Sequence, residues 1–178
     1  MNLDDIKAAL PPYAKDLRLN LDSVLSEGGA PGLTAKQIGA VAFAAAIAAR
    51  NAMLMRAIES FATEKLDAGE LDGVRAAAAM MGMTNVYYRF THLVANKEYE
   101  TLRASLRMNV MANPGIEKVA FEAASLAVSA INGCGMCLDA HEKTLRQHDM
   151  SAQGVQSIVR IAAVIHATAV TLEQAASA

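Results

Sequence analysis

Apolar positions along this chain return at helical spacing, and no stretch carries the alternation of a strand. On segment 116–131 the stripe Val119, Glu122, Ala123, Leu126, Ala127 and Ala130 repeats every three or four residues, apolar but for one carboxylate. The pattern predicts a short helix before Pro11-Pro12 and a second over about 12–25, followed by the Gly28-Gly29-Ala30-Pro31-Gly32 loop. Thr34 with Gln37 three residues on forms a capping box that opens a helix reaching about Arg50. Further helices are expected near 51–66, 70–83, 84–96 and 98–107. Asn113-Pro114-Gly115 ends one segment and starts another, and helices follow at about 116–131, 134–147 and 151–175. The fold class is all-α, a compact helical bundle in one domain over 1–178.

The second half echoes the first. Sliding the chain by 81 positions pairs Ile38–Asn85 with Val119–His166, matching Asn51 to Asn132, Met55 to Met136 and Gly73-Val74 to Gly154-Val155. Two diverged helical repeats are therefore expected. In that register Met53, Arg56 and Ser60 stand where Cys134, Cys137 and His141 stand, so chemistry based on the latter belongs to the second half.

Composition supports helices. Alanine, the best helix former and a poor strand former, supplies 37 of the 178 residues. The apolar share of 53% with a net charge of −2 excludes disorder and gives no electrostatic footprint for nucleic acid. The uncharged stretches Ile38–Ala49 and Ala123–Leu138 fall short of the roughly 20 apolar residues that a membrane span needs. The first residues lack the basic region and apolar core of a signal peptide, so a cytoplasmic protein without a membrane partner is expected.

Chemistry concentrates in residues 132–148, Asn-Gly-Cys-Gly-Met-Cys-Leu-Asp-Ala-His-Glu-Lys-Thr-Leu-Arg-Gln-His. Asn132-Gly133 ends one helix and Cys134 falls at the start of the next. Cys134 and Cys137 then share a face within bonding reach, and a loop so short removes little chain entropy, so the bond has a redox use rather than a stabilising one. Free amides at a helix start favour thiolate over thiol. His141, one turn beyond Cys137 and two beyond Cys134, can take the Cys137 proton. Cys137 is therefore read as the nucleophile and Cys134 as the resolving thiol. Glu122 on the preceding helix needs a partner if it faces inward, and a chain Glu122–His141–Cys137 would move a proton away from sulfur. Other readings stay open: two small hydrophobes, a zinc site on Cys134, Cys137, His141 and His148, or a Glu122 that reaches solvent. His92, His148 and His166 read as ordinary helix residues, the methionines as core filler, and Asp139–Lys143 and Glu142–Arg146 as surface pairs.

Cys134-Gly-Met-Cys137 with His141-Glu142, Glu122 upstream, Asn113-Pro114-Gly115-Ile116, Met80–Phe90 and Leu106–Asn109 together resemble the AhpD-type alkylhydroperoxidases of the carboxymuconolactone decarboxylase-like superfamily. The resemblance runs over most of the chain. It implies a thiol-dependent peroxidase acting on organic hydroperoxides, with a relay on Glu122, His141 and Cys137, Cys134 resolving, and no bound cofactor or metal. It implies re-reduction by dihydrolipoamide on a lipoyl-bearing acyltransferase, fed by dihydrolipoamide dehydrogenase, with a peroxiredoxin as companion. It also implies a homotrimer, for which the helix 116–131 region is the expected subunit contact. One position departs: the family carries histidine before the second cysteine, where Met136 stands here. A disulfide reductase serving a peroxiredoxin and a non-catalytic redox sensor are the alternative readings of the same dithiol.

Overall fold

The computed structural model describes residues 1–177 and, among them, contains helices and turns with no strand. The helices are α1 (Leu3–Ala9), α2 (Lys15–Val24), α3 (Ala35–Ala49), α4 (Ala52–Thr63), α5 (Ala68–Leu93), α6 (Glu98–Thr101), α7 (Lys118–Asn132), α8 (Gly135–Gln147) and α9 (Ala152–Ala176). Side-chain caps set several of the starts. Thr34 and Gln37 exchange hydrogen bonds with each other's backbone ahead of α3, and Asp67 and Glu70 do so ahead of α5. Asn51 and Ser151 cap α4 and α9.

Two alanine-rich helices run through the centre. Residues Ile38–Ala46 of α3 are buried without interruption, and so are Ala120–Ser129 of α7 apart from Glu122. A helix buried on every side shows no polar face, which is why alanine dominates α3: small side chains let neighbouring backbones approach. α3 packs on α4, α5, α7 and α9, while α7 packs on α3, α5, α8 and α9. Phe43, Leu54, Ile58, Leu126, Ile158 and Ile161 fill the gaps between them. Trimming one of these to alanine typically costs about 2–5 kcal/mol. α9 is long and apolar enough to cross a membrane by length and composition. Here it lies in the bundle, burying Ile158, Ile161, Ile165 and Ala169 on one face while His166 and Glu173 stay exposed.

Two expectations need correction. The helices expected at 70–83 and 84–96 are a single α5, because no cap or proline interrupts Met80–Thr84. Gly82 sits mid-helix on the exposed side, at a cost of about 1 kcal/mol against alanine. Burial of Met81, Thr84 and Asn85 offsets it. The helix expected at 98–107 is only the single turn α6. Residues 102–108 run irregularly to a 3-10 turn at Asn109–Ala112, and Ser105 has φ 50°. No residue between His92 and Val119 is fully buried, and a helix with no face to bury gains too little to form. α7 is buried in the bundle from Ala120 to Ser129 apart from Glu122, and its more accessible residues lie at its two ends. The exposed apolar stripe lies on α5, where Val86, Phe90 and Leu93 are 61%, 49% and 71% exposed.

The surface strap from 94 to 117 is fastened back at Gly73. A Cβ there would come within 2.7 Å of both Ile116 Cγ2 and Pro114 O, so the Pro114–Ile116 turn rests directly on α5. This fixes the strap where it meets the start of α7, at the opposite end of that helix from the junction that carries the cysteines.

Candidate functional site

The junction between α7 and α8 turns sharply. Gly133, at φ 68°, takes the left-handed cap position that suits glycine, and its N–H donates to Ser129 O and Ala130 O. Cys134 follows as the N-cap of α8: its N–H donates to Ser129 O at 3.1 Å and its Sγ accepts from the Cys137 N–H at 3.3 Å. A sulfur so placed faces the positive end of the helix. Cys134 and Cys137 are joined as a disulfide, with Cα atoms 5.3 Å apart.

A buried polar network holds this turn from behind. Asn85 on α5 is fully buried; its Nδ2 donates to Ser129 Oγ at 2.9 Å and its Oδ1 accepts from Asn132 Nδ2 at 3.0 Å. Arg89, one turn on, donates to Asn132 O at 2.6 Å. Ser129 and Asn132, just ahead of the cysteines, are thus tied to α5.

Glu122 lies three turns before that junction, and its Oε2 is 2.7 Å from His141 Nδ1. The side chains are only 12% and 9% exposed, so solvent screens the bond weakly. Glu122 therefore does not escape to solvent. The other ring nitrogen, Nε2, faces Met81 Sδ at 3.2 Å. One imidazole bridges α7 and α5 from its seat on α8.

In front of His141 opens a cavity of about 440 Å³ lined by Met81, Thr84 and Tyr88 of α5, Met108 and Met111 of the strap, and Met136, Cys137, Ala140 and His141 of α8. Cys137 reaches this cavity; Cys134 has no exposed surface and sits behind it. Access therefore separates the two sulfurs in the same sense as their spacing from His141.

His148, the fourth ligand of the zinc reading, is exposed, and the described residues contain no cluster of three or more metal-ligating side chains. His92 and His166 are exposed as well. Glu142 and Arg146 approach to 3.9 Å, whereas Asp139 and Lys143 form no ion pair.

The methionines are not all core filler. Met81, Met108, Met111 and Met136 line the cavity. The run Met80-Met81-Gly82-Met83 gives no sign of which sulfur points at His141, because that depends on how α5 crosses α8. Asn85 and Arg89 were equally hidden as ordinary polar positions of a long helix. Counted from the helix starts, the first-half counterparts of Cys134, Cys137 and His141 are Asn51, Leu54 and Ile58, rather than Met53, Arg56 and Ser60. Asn51 caps α4 as Cys134 caps α8, and Leu54 and Ile58 are plain core.

Residues 97–178 match the carboxymuconolactone decarboxylase family. The chain is 50% identical over 175 residues to a protein of Brucella suis named alkyl hydroperoxide reductase AhpD, covering 98% of each. It is 52% identical over 177 residues to the protein of that name from Rhodospirillum centenum, covering 99% of this chain and 94% of the relative. A Coxiella burnetii relative of the same name is 52% identical over 167 residues, covering 94% of both.

Proposed function

Because the chain belongs to the AhpD-type alkyl hydroperoxide reductases of the carboxymuconolactone decarboxylase family, we propose that it reduces organic hydroperoxides through Cys137 and Cys134. The observation that carries this reading is the placement of Cys137 in the wall of an apolar cavity beside a histidine already bonded to a buried glutamate.

In the dithiol form Cys137 gives its proton to His141, and Glu122 holds the ring and offsets the imidazolium charge. The thiolate attacks one peroxide oxygen, the O–O bond breaks, and the departing alkoxide takes the proton back from His141. Cys137 is left as a sulfenic acid. The Cys134 thiol then displaces water from it, giving the disulfide. One hydroperoxide and two thiols become an alcohol, water and a disulfide.

Reduction returns the pair to thiols. The cavity is apolar and narrow, which suits an organic peroxide and a slim dithiol better than a folded protein disulfide. We assign dihydrolipoamide as the reductant, carried on a lipoyl-bearing acyltransferase and recharged by dihydrolipoamide dehydrogenase, with a peroxiredoxin working alongside. The assembly proposed is a homotrimer in the cytoplasm, its contacts drawn from the exposed α5 stripe. Met136 leaves the relay without a second imidazole, so His141 alone serves Cys137.

A coupled assay with reduced lipoamide and cumene hydroperoxide tests the proposal. Turnover that depends on both substrates is expected. A protein that is oxidised once and never recycled by the dithiol would be a sensor instead, and turnover of a peroxiredoxin disulfide alone would make it a reductase.

A further inference from the structure

Both ring nitrogens of His141 are engaged, and neither by a cysteine. Nδ1 meets Glu122 Oε2 at 2.7 Å, and Nε2 meets the thioether of Met81 at 3.2 Å. Met81 is 2% exposed and lies on a different helix from both relay partners. Its sulfur also faces Asn85 Nδ2 at 3.7 Å, an amide whose other hydrogen goes to Ser129. A thioether can only accept. The hydrogen between Nε2 and Sδ must therefore sit on the nitrogen, wherever the second proton rests along the Glu122 bond. A bare Nε2 would set lone pair against lone pair.

We propose that Met81 is a positioning residue of the relay: in the disulfide form its thioether accepts the Nε2–H of His141 and keeps the ring protonated beside the cysteines. The inference rests on the function proposed above and adds the state of the proton between turnovers. When a dithiol reduces the enzyme, one of its thiolates attacks Cys137 from the cavity and Cys134 leaves, taking its proton from solvent. The second thiolate then displaces Cys137 from the mixed disulfide. The Cys137 thiolate so released takes the Nε2 proton of His141, which leaves the ring neutral and ready to accept the thiol proton in the next peroxide step. Met81 thus exchanges His141 with Cys137 once per cycle: the ring, neutral after the alkoxide has left with its proton, takes one from solvent as the disulfide closes and turns that Nε2–H to the thioether. The groups facing the ring are few: Glu122 from α7, Tyr88 of α5 across the cavity, Cys137 on α8 itself, and only Met108 and Met111 from the strap.

The test compares two substitutions of similar size. Met81→Leu keeps the apolar volume but has no acceptor, whereas Met81→Gln keeps the length and offers a carbonyl oxygen. Nitrogen-15 spectra of the disulfide form at neutral pH should show a proton on His141 Nε2 in wild type and Met81→Gln, and a smaller population of that Nε2–H in Met81→Leu. Reduction of the disulfide by dihydrolipoamide at neutral pH should slow about tenfold in Met81→Leu, the effect of weakening one acid–base element, and stay within about threefold of wild type in Met81→Gln. The opposite ranking, with leucine tolerated and glutamine damaging, would mean that Met81 is packing alone and would overturn the proposal, as would an unchanged Nε2–H population in Met81→Leu. The spectra need no peroxide turnover, so a protein inactive as a peroxidase that still shows the Met81-dependent Nε2–H would contradict the proposed function and leave this contact standing.

Discussion

Glu122 and His141, nineteen residues apart on successive helices, share a 2.7 Å bond between Oε2 and Nδ1 that is almost closed to solvent. The bond fixes the ring on one side and supplies a negative charge where an imidazolium forms. Glu122→Gln keeps shape and hydrogen bonding but removes that charge. Peroxide reduction should slow by at least about tenfold at pH 7 and recover in part at higher pH, as Cys137 ionises unaided. Steady-state rates across pH check this. Lys143→Gln, on the exposed face of α8, should leave the rate unchanged.

Asn85 predicts a different outcome, because it touches the turn and not the reacting atoms. Asn85→Ala strips partners from Ser129 and Asn132 and leaves polar atoms buried. The cost is about 1–3 kcal/mol, which for a chain of this length lowers the melting temperature by several degrees. Closure of the disulfide after one peroxide turnover should slow too, since the cap carrying Cys134 loosens. Calorimetry and stopped-flow quenching read the two effects separately.

Ala140 stands in the wall of the cavity beside Cys137. Ala140→Phe narrows the space without touching Glu122, His141 or either cysteine. KM for cumene hydroperoxide should rise several-fold while that for hydrogen peroxide stays near wild type. Equal effects on both peroxides would mean that the bulky substrate enters elsewhere.

Away from the site, Glu70 donates stability that depends on pH. Lys36, hydrogen-bonded to it at 2.7 Å, and then the Asp67 N–H, to which its carboxylate gives the other half of the capping box, hold its carboxyl below the usual range. A depressed carboxylate stabilises the fold above its unfolded value and loses that contribution as pH falls through the folded one. Glu70→Gln should therefore lower stability at pH 7, by less than about 1 kcal/mol because solvent screens the pair, and by less still near pH 3. Urea titrations at the two pH values check the sign.

The helices and their starts were readable wherever a local signal exists. Thr34 with Gln37 marks α3 because a capping box is made within four residues, and the cysteine spacing marks α8 because both sulfurs belong to one turn. Glu122 was readable as a carboxylate out of place in an apolar stripe. What local pattern could not carry was anything set by how helices cross. Met81 and Asn85 reach the site from α5, more than forty residues before the cysteines, and their roles depend on the packing of α5 against α7 and α8. The strap after α5 failed for the converse reason: residues 102–107 have reasonable helix propensity but no neighbour to bury against.

The account stands most directly on which sulfur meets peroxide. Reduced Cys134→Ser, treated with one equivalent of cumene hydroperoxide in the presence of a sulfenic-acid trap, should carry the trap on Cys137, read by mass spectrometry of the peptide. Reduced Cys137→Ser should take up little or none on Cys134, which has no surface open to the cavity. Rapid trapping on Cys134 in Cys137→Ser, with none on Cys137 in Cys134→Ser, would contradict it.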